Sequence, residues 1–176
     1  QFIKRNESYE VIKKKLLKNK KINPNKKLLV IREQGVGDEI LYGTIYEDLL
    51  NKFNDIVIES DERLLPIFER SFEKKHYKKF FKLGHFSKNF QKLKDFDQVL
   101  YAGSLGYYFR NHYKDFPKKS YLKVKDIEIK KGKKTLSEYK KKYKIGISWK
   151  SFNNIYSNQK SINLEDFNFL IESKYF

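Results

Sequence analysis

The sequence predicts an α/β protein in which helices cover both faces of a parallel β-sheet. Two short strand patterns are each followed by an amphipathic helical pattern, residues 36–50 and 60–72. The first is the apolar run 28–31, and the second is residues 55–59, whose three central residues are apolar and β-branched. Unbroken apolar runs of this length are typical of parallel strands that are buried on both faces. Because strands and helices alternate, we expect right-handed crossovers between the strands. The predicted fold class is therefore a Rossmann-like parallel sheet.

The first strand-to-helix turn organises the rest of the prediction. Residues 28–31 run into a turn that contains Gly35 and Gly37. Glycine permits the unusual backbone angles of a sharp turn and lets a ligand approach the main chain, so both glycines are candidate ligand-binding residues. The helical pattern that follows has an apolar face formed by Ile40, Leu41, Thr44, Ile45, Asp48 and Leu49.

Asp38 lies where this helix begins, and two interpretations of it stay open. Aspartate is a good N-cap residue, and a negative charge is favourable at the positive end of a helix dipole. A carboxylate beside the crevice where open α/β sheets bind ligands can also accept a proton from an incoming hydroxyl group. The first role does not exclude the second.

A dinucleotide site at the same turn is a minor alternative. The phosphate-binding fingerprint requires a small residue where this chain has Ile40, and the carboxylate of Asp38 would repel a pyrophosphate. Glu59, which ends the second strand, could imitate the acid that binds a ribose in such sites. We keep this interpretation only because of Glu59.

The remaining elements before residue 102 are predicted from shorter signals. A helix over 7–19 has Tyr9, Ile12 and Leu16 on its apolar side. A third strand is expected around 80–83, a short helix over 86–93 and a further strand over 95–101, each from a short apolar pattern.

Small residues follow the strand over 95–101. If the sheet is parallel, the turn at 102–106 opens into the same crevice as Asp38. Ser104 and Gly106 are therefore candidates to line a pocket there.

Asp95 and Asp97 resemble an Asp-x-Asp metal pair, but their position argues against that role. They start their strand, at the opposite edge of the sheet from the crevice, where acidic residues usually cap or solvate the strand entry. We expect no metal site and no cofactor.

Three segments are predicted along the chain. Residues 1–26 form the end of a preceding helical region and a Lys-rich linker, and residues 27–142 form the Rossmann-like domain with a last helix at 136–142. Residues 143–176 repeat the order of strand, small-residue loop and helix, with the strand over 144–150 and Asn163 as helix cap, and are interpreted as the beginning of a second Rossmann-like domain. The chain has no Met and stops within a helical pattern, so we expect an excerpt of a longer protein.

The charge balance is strongly basic. With 39 Lys+Arg against 22 Asp+Glu, the formal net charge is +17. Such a charge favours polyanionic partners, but no nucleic-acid-binding motif accompanies it, and Lys runs are usually solvated faces. The excess is mainly Lys and occurs with abundant Asn, Ile, Tyr and Phe, as in low-GC genomes. We expect no specific nucleic-acid partner, whereas a peripheral contact with a membrane surface and an anionic substrate remain compatible with the charge.

The cellular location is predicted from what the sequence lacks. Cysteine is absent, which excludes disulfides and thiolate metal sites within this sequence. No apolar run approaches the roughly 20 residues of a membrane span. We expect a cytoplasmic protein.

Several short blocks along the chain form a recognisable set: residues 32–40 (REQGVGDEI), 59–64, 95–99 with 103–105, 121–122, and 146–150 (GISWK) with 160–162 (KSI). The first and last of these blocks are the specific ones. Together the blocks resemble bacterial glycosyltransferases of the heptosyltransferase and O-linked N-acetylglucosamine transferase kind, especially those that follow tetratricopeptide repeats.

This resemblance implies a two-domain glycosyltransferase of the B type, with an acceptor-side N-terminal domain and a donor-side C-terminal domain. It implies that Asp38 is the catalytic base. It also implies that Lys160 contacts the phosphate or sugar of a nucleotide-sugar donor, with Lys150 and Ser151 as weaker candidates. Gly35, Gly37, Ser104 and Gly106 would then bind the acceptor, a glycan or protein hydroxyl.

The expected reaction is a metal-independent inverting displacement. This segment alone is expected to be inactive, because one wall of the cleft between the two domains would be missing. Two alternatives stay open: a non-catalytic protein-binding or assembly module, and a polyanion-binding module.

Overall fold

The computed structural model of the chain describes residues 2–18, 21–139, 143–151 and 157–172. It contains two compact units, residues 1–124 and 125–176. The strands of the first unit are β1 (Leu28–Ile31), β2 (Ile56–Ser60), β3 (Phe80–Lys82) and β4 (Gln98–Tyr101). Its α-helices are α1 (Phe2–Lys15), α2 (Val36–Gly43), α3 (Tyr46–Lys52), α4 (Leu65–Ser71), α5 (Phe90–Leu93) and α6 (Leu105–Phe109). None of the helices in the described part of the chain is long and apolar enough to cross a membrane.

The strands form one parallel sheet in the order β3-β2-β1-β4. This confirms the predicted α/β fold class, with the Rossmann-like arrangement in which helices flank a parallel sheet. β1 lies between β2 and β4, and each of its residues is buried, as expected for an unbroken apolar run. The boundaries of β1 agree with the prediction, and those of β2 are shifted by one residue.

Each face of the sheet carries its own hydrophobic core. Alternate residues of a strand point to opposite faces, so Leu28 and Val30 contribute to one core and Leu29 and Ile31 to the other. The first core is rich in aromatic rings that α3, α4 and β3 supply: Tyr46, Phe68, Phe72 and Phe80. The second core is covered by α1 and α5.

α1 is an integral part of the first unit. Ile12 and Leu16 pack on the second core as predicted, whereas Tyr9 is 58% exposed, so its predicted place on the apolar side is wrong. The Lys15 ammonium donates hydrogen bonds to the backbone carbonyl of Lys94 (2.7 Å) and to that of Phe96, which joins α1 to the chain just after α5.

The helical pattern over 36–50 forms two helices, and the single predicted helix is wrong. α2 ends at Gly43 and α3 begins at Tyr46. The Tyr121 side chain packs directly against Gly43, leaving no space for a Cβ atom, and its hydroxyl donates to the Ile40 carbonyl oxygen (2.7 Å). Arg110 donates to the carbonyl oxygen of Thr44 (2.7 Å), which satisfies a backbone group at the break.

The helix predicted over 60–72 begins later, at Leu65. Ser60 belongs to β2, and Asp61 forms a turn in which its carboxylate accepts the backbone N–H of Arg63 (3.0 Å). The predicted apolar side is confirmed, because Leu64 and Phe68 are buried in the first core.

The second unit differs from the prediction in its first helix and its strand. Its α-helices are α7 (Asp126–Ser137) and α8 (Asn168–Ile171). The helix predicted over 136–142 therefore begins about ten residues earlier than predicted. Residues 140–142 fall outside the described part of the chain. Acidic Asp126 and Glu128 in the first turn favour the earlier start. Residues 144–150 are described and form no strand, so the predicted strand is wrong. Asn163 caps as predicted, at a 3-10 helix, Leu164–Phe167.

Candidate functional site

The sheet order identifies the crevice in which a ligand is expected. β1 continues into α2 and β4 continues through a 3-10 turn, Ala102–Ser104, into α6. From β1 the chain proceeds to β2 and then β3 on one side of β1, and it returns to form β4 on the other side. The direction in which strands are added therefore reverses between β1 and β4. Open α/β sheets bind ligands outside the carboxyl ends of the strands at such a switch point. α2 and the 102–104 turn are in contact there.

Asp38 is an exposed residue in the first turn of α2, at this switch point. Gly35 is the N-cap residue of α2 and Asp38 is the third residue of the helix, so the predicted N-cap position of Asp38 is wrong. Its Oδ2 atom nevertheless caps the first turn, because it accepts the backbone N–H of Gly35 at 3.0 Å. A carboxylate offers about four lone-pair positions, and this bond occupies one of them. The cap therefore fixes the orientation of the carboxylate and leaves it able to accept a proton.

Glu33 ties the two loops of the switch point together. Its Oε2 atom accepts the backbone N–H of Gly103 at 2.9 Å, across a separation of 70 residues. Beside it, the Tyr42 hydroxyl donates to Gln34 Oε1 at 3.3 Å. The sequence analysis did not single out Glu33, although an acidic residue two positions after the first strand is a signal for this edge of the sheet.

The backbone conformation of the turn differs from the one predicted from its glycines. Gly35 has an extended conformation (φ −84°), and Gly37 lies within α2. The left-handed residue of this turn is Gln34 (φ 59°), so the prediction that Gly35 and Gly37 supply unusual angles is wrong. Both glycines nevertheless lie beside Asp38 at the switch point.

Ser104 and Gly106 lie at the same switch point, on the side of β4. Ser104 ends the 3-10 turn and is exposed, and Gly106 is the second residue of α6 and half-buried. The structure thus brings the predicted residues of the first unit to one edge of the sheet.

Gly103 and Gly106 make a matched pair for testing this geometry. A Cβ on Gly103 would lie 2.8 Å from Glu33 Oε2 and 3.3 Å from the Tyr42 hydroxyl, so Gly103→Ala must displace Glu33. Losing the Glu33 hydrogen bond should lower the free energy of unfolding by about 1 kcal/mol. No atom lies within 4 Å of a Cβ placed on Gly106, which is helical, so Gly106→Ala should be neutral or stabilising. Denaturant unfolding of the two variants checks this, and equal stabilities would contradict it.

Lys150, Ser151 and Lys160 come together within the second unit. Ser151 donates its backbone N–H to Ser161 Oγ (2.9 Å), and Ile162 donates its backbone N–H to the Trp149 carbonyl oxygen (3.0 Å). These bonds place the two segments side by side. Lys150 and Lys160 are both exposed.

A buried network of ion pairs and hydrogen bonds joins α2 to the segments that follow β1 and β2. Glu39 is fully buried, and its carboxylate accepts Arg32 Nε (2.6 Å) and the backbone N–H of Asp61 (3.1 Å). Arg32 also pairs with the Asp61 carboxylate at 3.2 Å. Burial raises the pKa of Glu39, and the hydrogen bonds from Asp61 and Arg32 oppose that rise. The network holds α2 against the loop after β2. The sequence analysis missed it, because an acidic residue in the first turn of a helix is usually exposed to solvent.

Glu59 has a structural role that excludes it as a ribose-binding acid. It is fully buried, and its carboxylate accepts the backbone N–H groups of Gly84 (3.1 Å), Phe86 (2.6 Å) and Ser87 (2.9 Å) and the Ser87 hydroxyl (2.6 Å). These four hydrogen bonds use the acceptor positions of the carboxylate, and all of them go to one loop. The dinucleotide interpretation therefore loses the residue on which it depended.

Asp97 marks the entry of its strand, as predicted. Its Oδ2 atom accepts the backbone N–H of Lys27 (3.0 Å), next to the amino ends of β1 and β4. Asp95 is exposed just before it. Within the described residues, no group of three or more His, Asp or Glu side chains is arranged to hold a metal ion.

Comparison of the chain with protein-family models, with curated proteins and with solved structures gave no match. The candidate site is therefore defined by its own geometry: an oriented, exposed carboxylate at the switch point of a parallel sheet, between two loops that Glu33 joins.

Proposed function

We propose that this chain belongs to an inverting glycosyltransferase that moves a sugar from a nucleotide-sugar to a glycan or protein hydroxyl group, with its first unit on the acceptor side. The observation that carries the proposal is the position of Asp38, exposed and oriented by Gly35 at the carboxyl end of β1. The resemblance of residues 32–40 to heptosyltransferase-like enzymes supports the same role for this residue.

In the proposed reaction Asp38 takes the proton of the acceptor hydroxyl. The acceptor oxygen forms a bond to the anomeric carbon of the donor, and the bond from that carbon to the nucleoside diphosphate breaks with its electron pair going to the leaving phosphate. Attack opposite the leaving group inverts the anomeric configuration. The Gly35 N–H holds Oδ2, so in the proposed reaction Oδ1 takes the proton.

The leaving diphosphate requires positive charge. Lys160, with Lys150 and Ser151 beside it, is the proposed source in the second unit. Ammonium and backbone N–H groups are sufficient to neutralise a diphosphate, so the proposed step needs no divalent metal.

Asp38→Asn tests the base. Asparagine keeps an oxygen that can accept the Gly35 N–H but cannot take up a proton, so kcat of the complete protein that contains this chain should fall about 100-fold, while donor affinity is unchanged. Turnover of a panel of nucleotide-sugars and calorimetric donor binding give the two readouts.

Asp115→Asn is the matched control for Asp38→Asn. Asp115 also caps through its carboxylate, accepting the backbone N–H groups of His112 (2.8 Å) and Asn111 (3.0 Å), but it lies at a different turn. This variant should keep full activity. Undiminished turnover in Asp38→Asn would contradict the role of Asp38 as the base. Undiminished biological activity of a variant that has lost turnover would favour a non-catalytic assembly role.

Lys160→Ala tests the donor side. It should weaken donor binding, whereas Asp38→Asn leaves it intact. If no nucleotide-sugar binds the complete protein, the proposed function is wrong.

A further inference from the structure

Nearly half of the net positive charge is concentrated in one segment of the first unit. Residues 74–94 contain eight lysines, two histidines and five aromatic residues, and no aspartate or glutamate. The segment includes β3, the loop that follows it and α5. Composition alone explains a high lysine content along the whole chain, but it does not explain the absence of acidic residues from this segment.

The loop between β3 and α5 has a fixed conformation. The buried Glu59 carboxylate accepts four hydrogen bonds from Gly84, Phe86 and Ser87, as described above. Gly84 adopts a left-handed conformation (φ 89°), which allows the sharp reversal after β3. Side chains on the outer side of this loop are therefore presented on a preorganised backbone, which reduces the entropic cost of binding a ligand.

Four basic side chains surround this loop: Lys82, His85, Lys88 and Lys92, which we call the basic loop surface. Lys92 Nζ lies 3.0 Å from His85 Nε2. The aliphatic carbons of Lys88 cover Gly84, since a Cβ there would lie 2.8 Å from Lys88 Cδ. The Lys82 carbonyl accepts the His85 N–H (3.1 Å), which closes the turn. All three lysines are exposed.

An aromatic platform lies within the same surface. The His85 ring stacks on Phe81 at 5.1 Å with an interplanar angle of 28°, and the Phe86 ring meets His85 edge-on at 4.7 Å. His85 remains half-exposed. Proteins that bind single-stranded nucleic acids combine such rings, on which bases stack, with lysines that follow the phosphates.

We propose that the basic loop surface binds single-stranded nucleic acid without sequence preference, with Lys82, Lys88 and Lys92 on phosphates and His85 stacked on a base. A membrane surface fits less well, because insertion requires exposed apolar side chains. Among the described side chains of residues 74–94, Leu83 is the only large apolar residue that is exposed, and only 37% of its surface is accessible. The inference is independent of the proposed transferase activity.

Fluorescence anisotropy of the full chain with a labelled oligothymidylate of about 10 nucleotides tests this inference. Three lysine–phosphate contacts on a single strand predict a slope near −2 of log K against log salt, so affinity should fall about 20-fold between about 50 and 200 mM salt. Lys88→Glu with Lys92→Glu should reduce affinity at least about 10-fold and flatten the slope.

The matched control is Lys133→Glu with Lys134→Glu, which changes the net charge equally at exposed positions of α7. This variant should retain the affinity of the wild type. Equal losses in the two double variants would overturn the proposal, because total charge would then explain the binding.

Two further measurements separate nucleic acid from other polyanions. His85→Ala should weaken oligothymidylate binding about 5-fold and leave the binding of inorganic polyphosphate unchanged, since only a base can stack. Polyphosphate that binds as tightly per phosphate as the oligonucleotide would overturn the proposal. So would binding to phosphatidylglycerol vesicles in the absence of oligonucleotide binding.

Discussion

The Arg32→Met variant should lose about 3–5 kcal/mol of unfolding free energy at neutral pH, because it leaves the buried Glu39 carboxylate without its ionic partner. Glu39 is fully buried, and the side chain of Arg32 is only 15% exposed, so water cannot replace the guanidinium efficiently. Methionine retains most of the volume and removes only the charge and the hydrogen bonds. Denaturant unfolding measures the loss.

The loss should depend on pH in a defined direction. Burial raises the folded-state pKa of Glu39. A carboxyl group with a raised folded-state pKa stabilises the fold below its unfolded-state pKa, and this contribution is lost as pH rises through the folded-state pKa. Removing Arg32 raises the folded-state pKa of Glu39 further. The stability difference between wild type and Arg32→Met should therefore be small in acid and grow towards neutral pH.

Two controls separate the buried network from the surface charges. Arg63→Met removes an arginine that pairs with Asp61 but is 75% exposed, and it should have a much smaller effect. Combining Arg32→Met with Glu39→Met should recover most of the lost stability, because no unpaired charge remains. A pH-independent loss in Arg32→Met would contradict the role assigned to Glu39.

The strands were predictable from the sequence because burial on both faces requires apolar residues at consecutive positions. This is why the boundaries of β1 and β2 agree with the prediction to within one residue. The order of the strands did not follow from the sequence, since it depends on contacts between distant segments. The break after Gly43 was missed for the same reason, because it depends on the Tyr121 ring, far along the chain.

The candidate site was predictable only in part. Asp38 follows from the local order of strand, turn and helix. The pairing of Glu33 with Gly103 becomes evident only when β1 and β4 are known to be neighbours. Glu39 was missed and Glu59 was assigned the wrong role, because charged residues are usually exposed and nothing local indicates that their hydrogen-bond partners lie on other elements.

Hydrogen-bond geometry also explains why glycine was a poor guide to the turn after β1. The left-handed position is occupied by Gln34, whose side chain accepts the Tyr42 hydroxyl. That contact supports a conformation that a non-glycine residue rarely adopts. The contact joins residues eight positions apart, and the glycine pattern carries no information about it.

The Glu59→Gln variant should lose about 3 kcal/mol of unfolding free energy, because a neutral amide cannot accept four hydrogen bonds in place of a carboxylate. Its NH₂ group would replace one carboxylate oxygen and face N–H donors of the loop after β3, so at least one backbone N–H would lose its acceptor. The loss should be largest in that loop. Hydrogen exchange should therefore accelerate at Gly84, Phe86 and Ser87 more than at the amides of β1.

Glu62→Gln provides the control for this change, since Glu62 is exposed in the turn that follows β2. It should leave both the unfolding free energy and the loop exchange rates unchanged.

The Glu59→Gln variant also tests the proposed nucleic-acid surface. If Glu59 preorganises the loop, this variant should weaken oligothymidylate binding although it removes a negative charge. Tighter binding in Glu59→Gln would show that charge, and not the fixed loop, governs that surface.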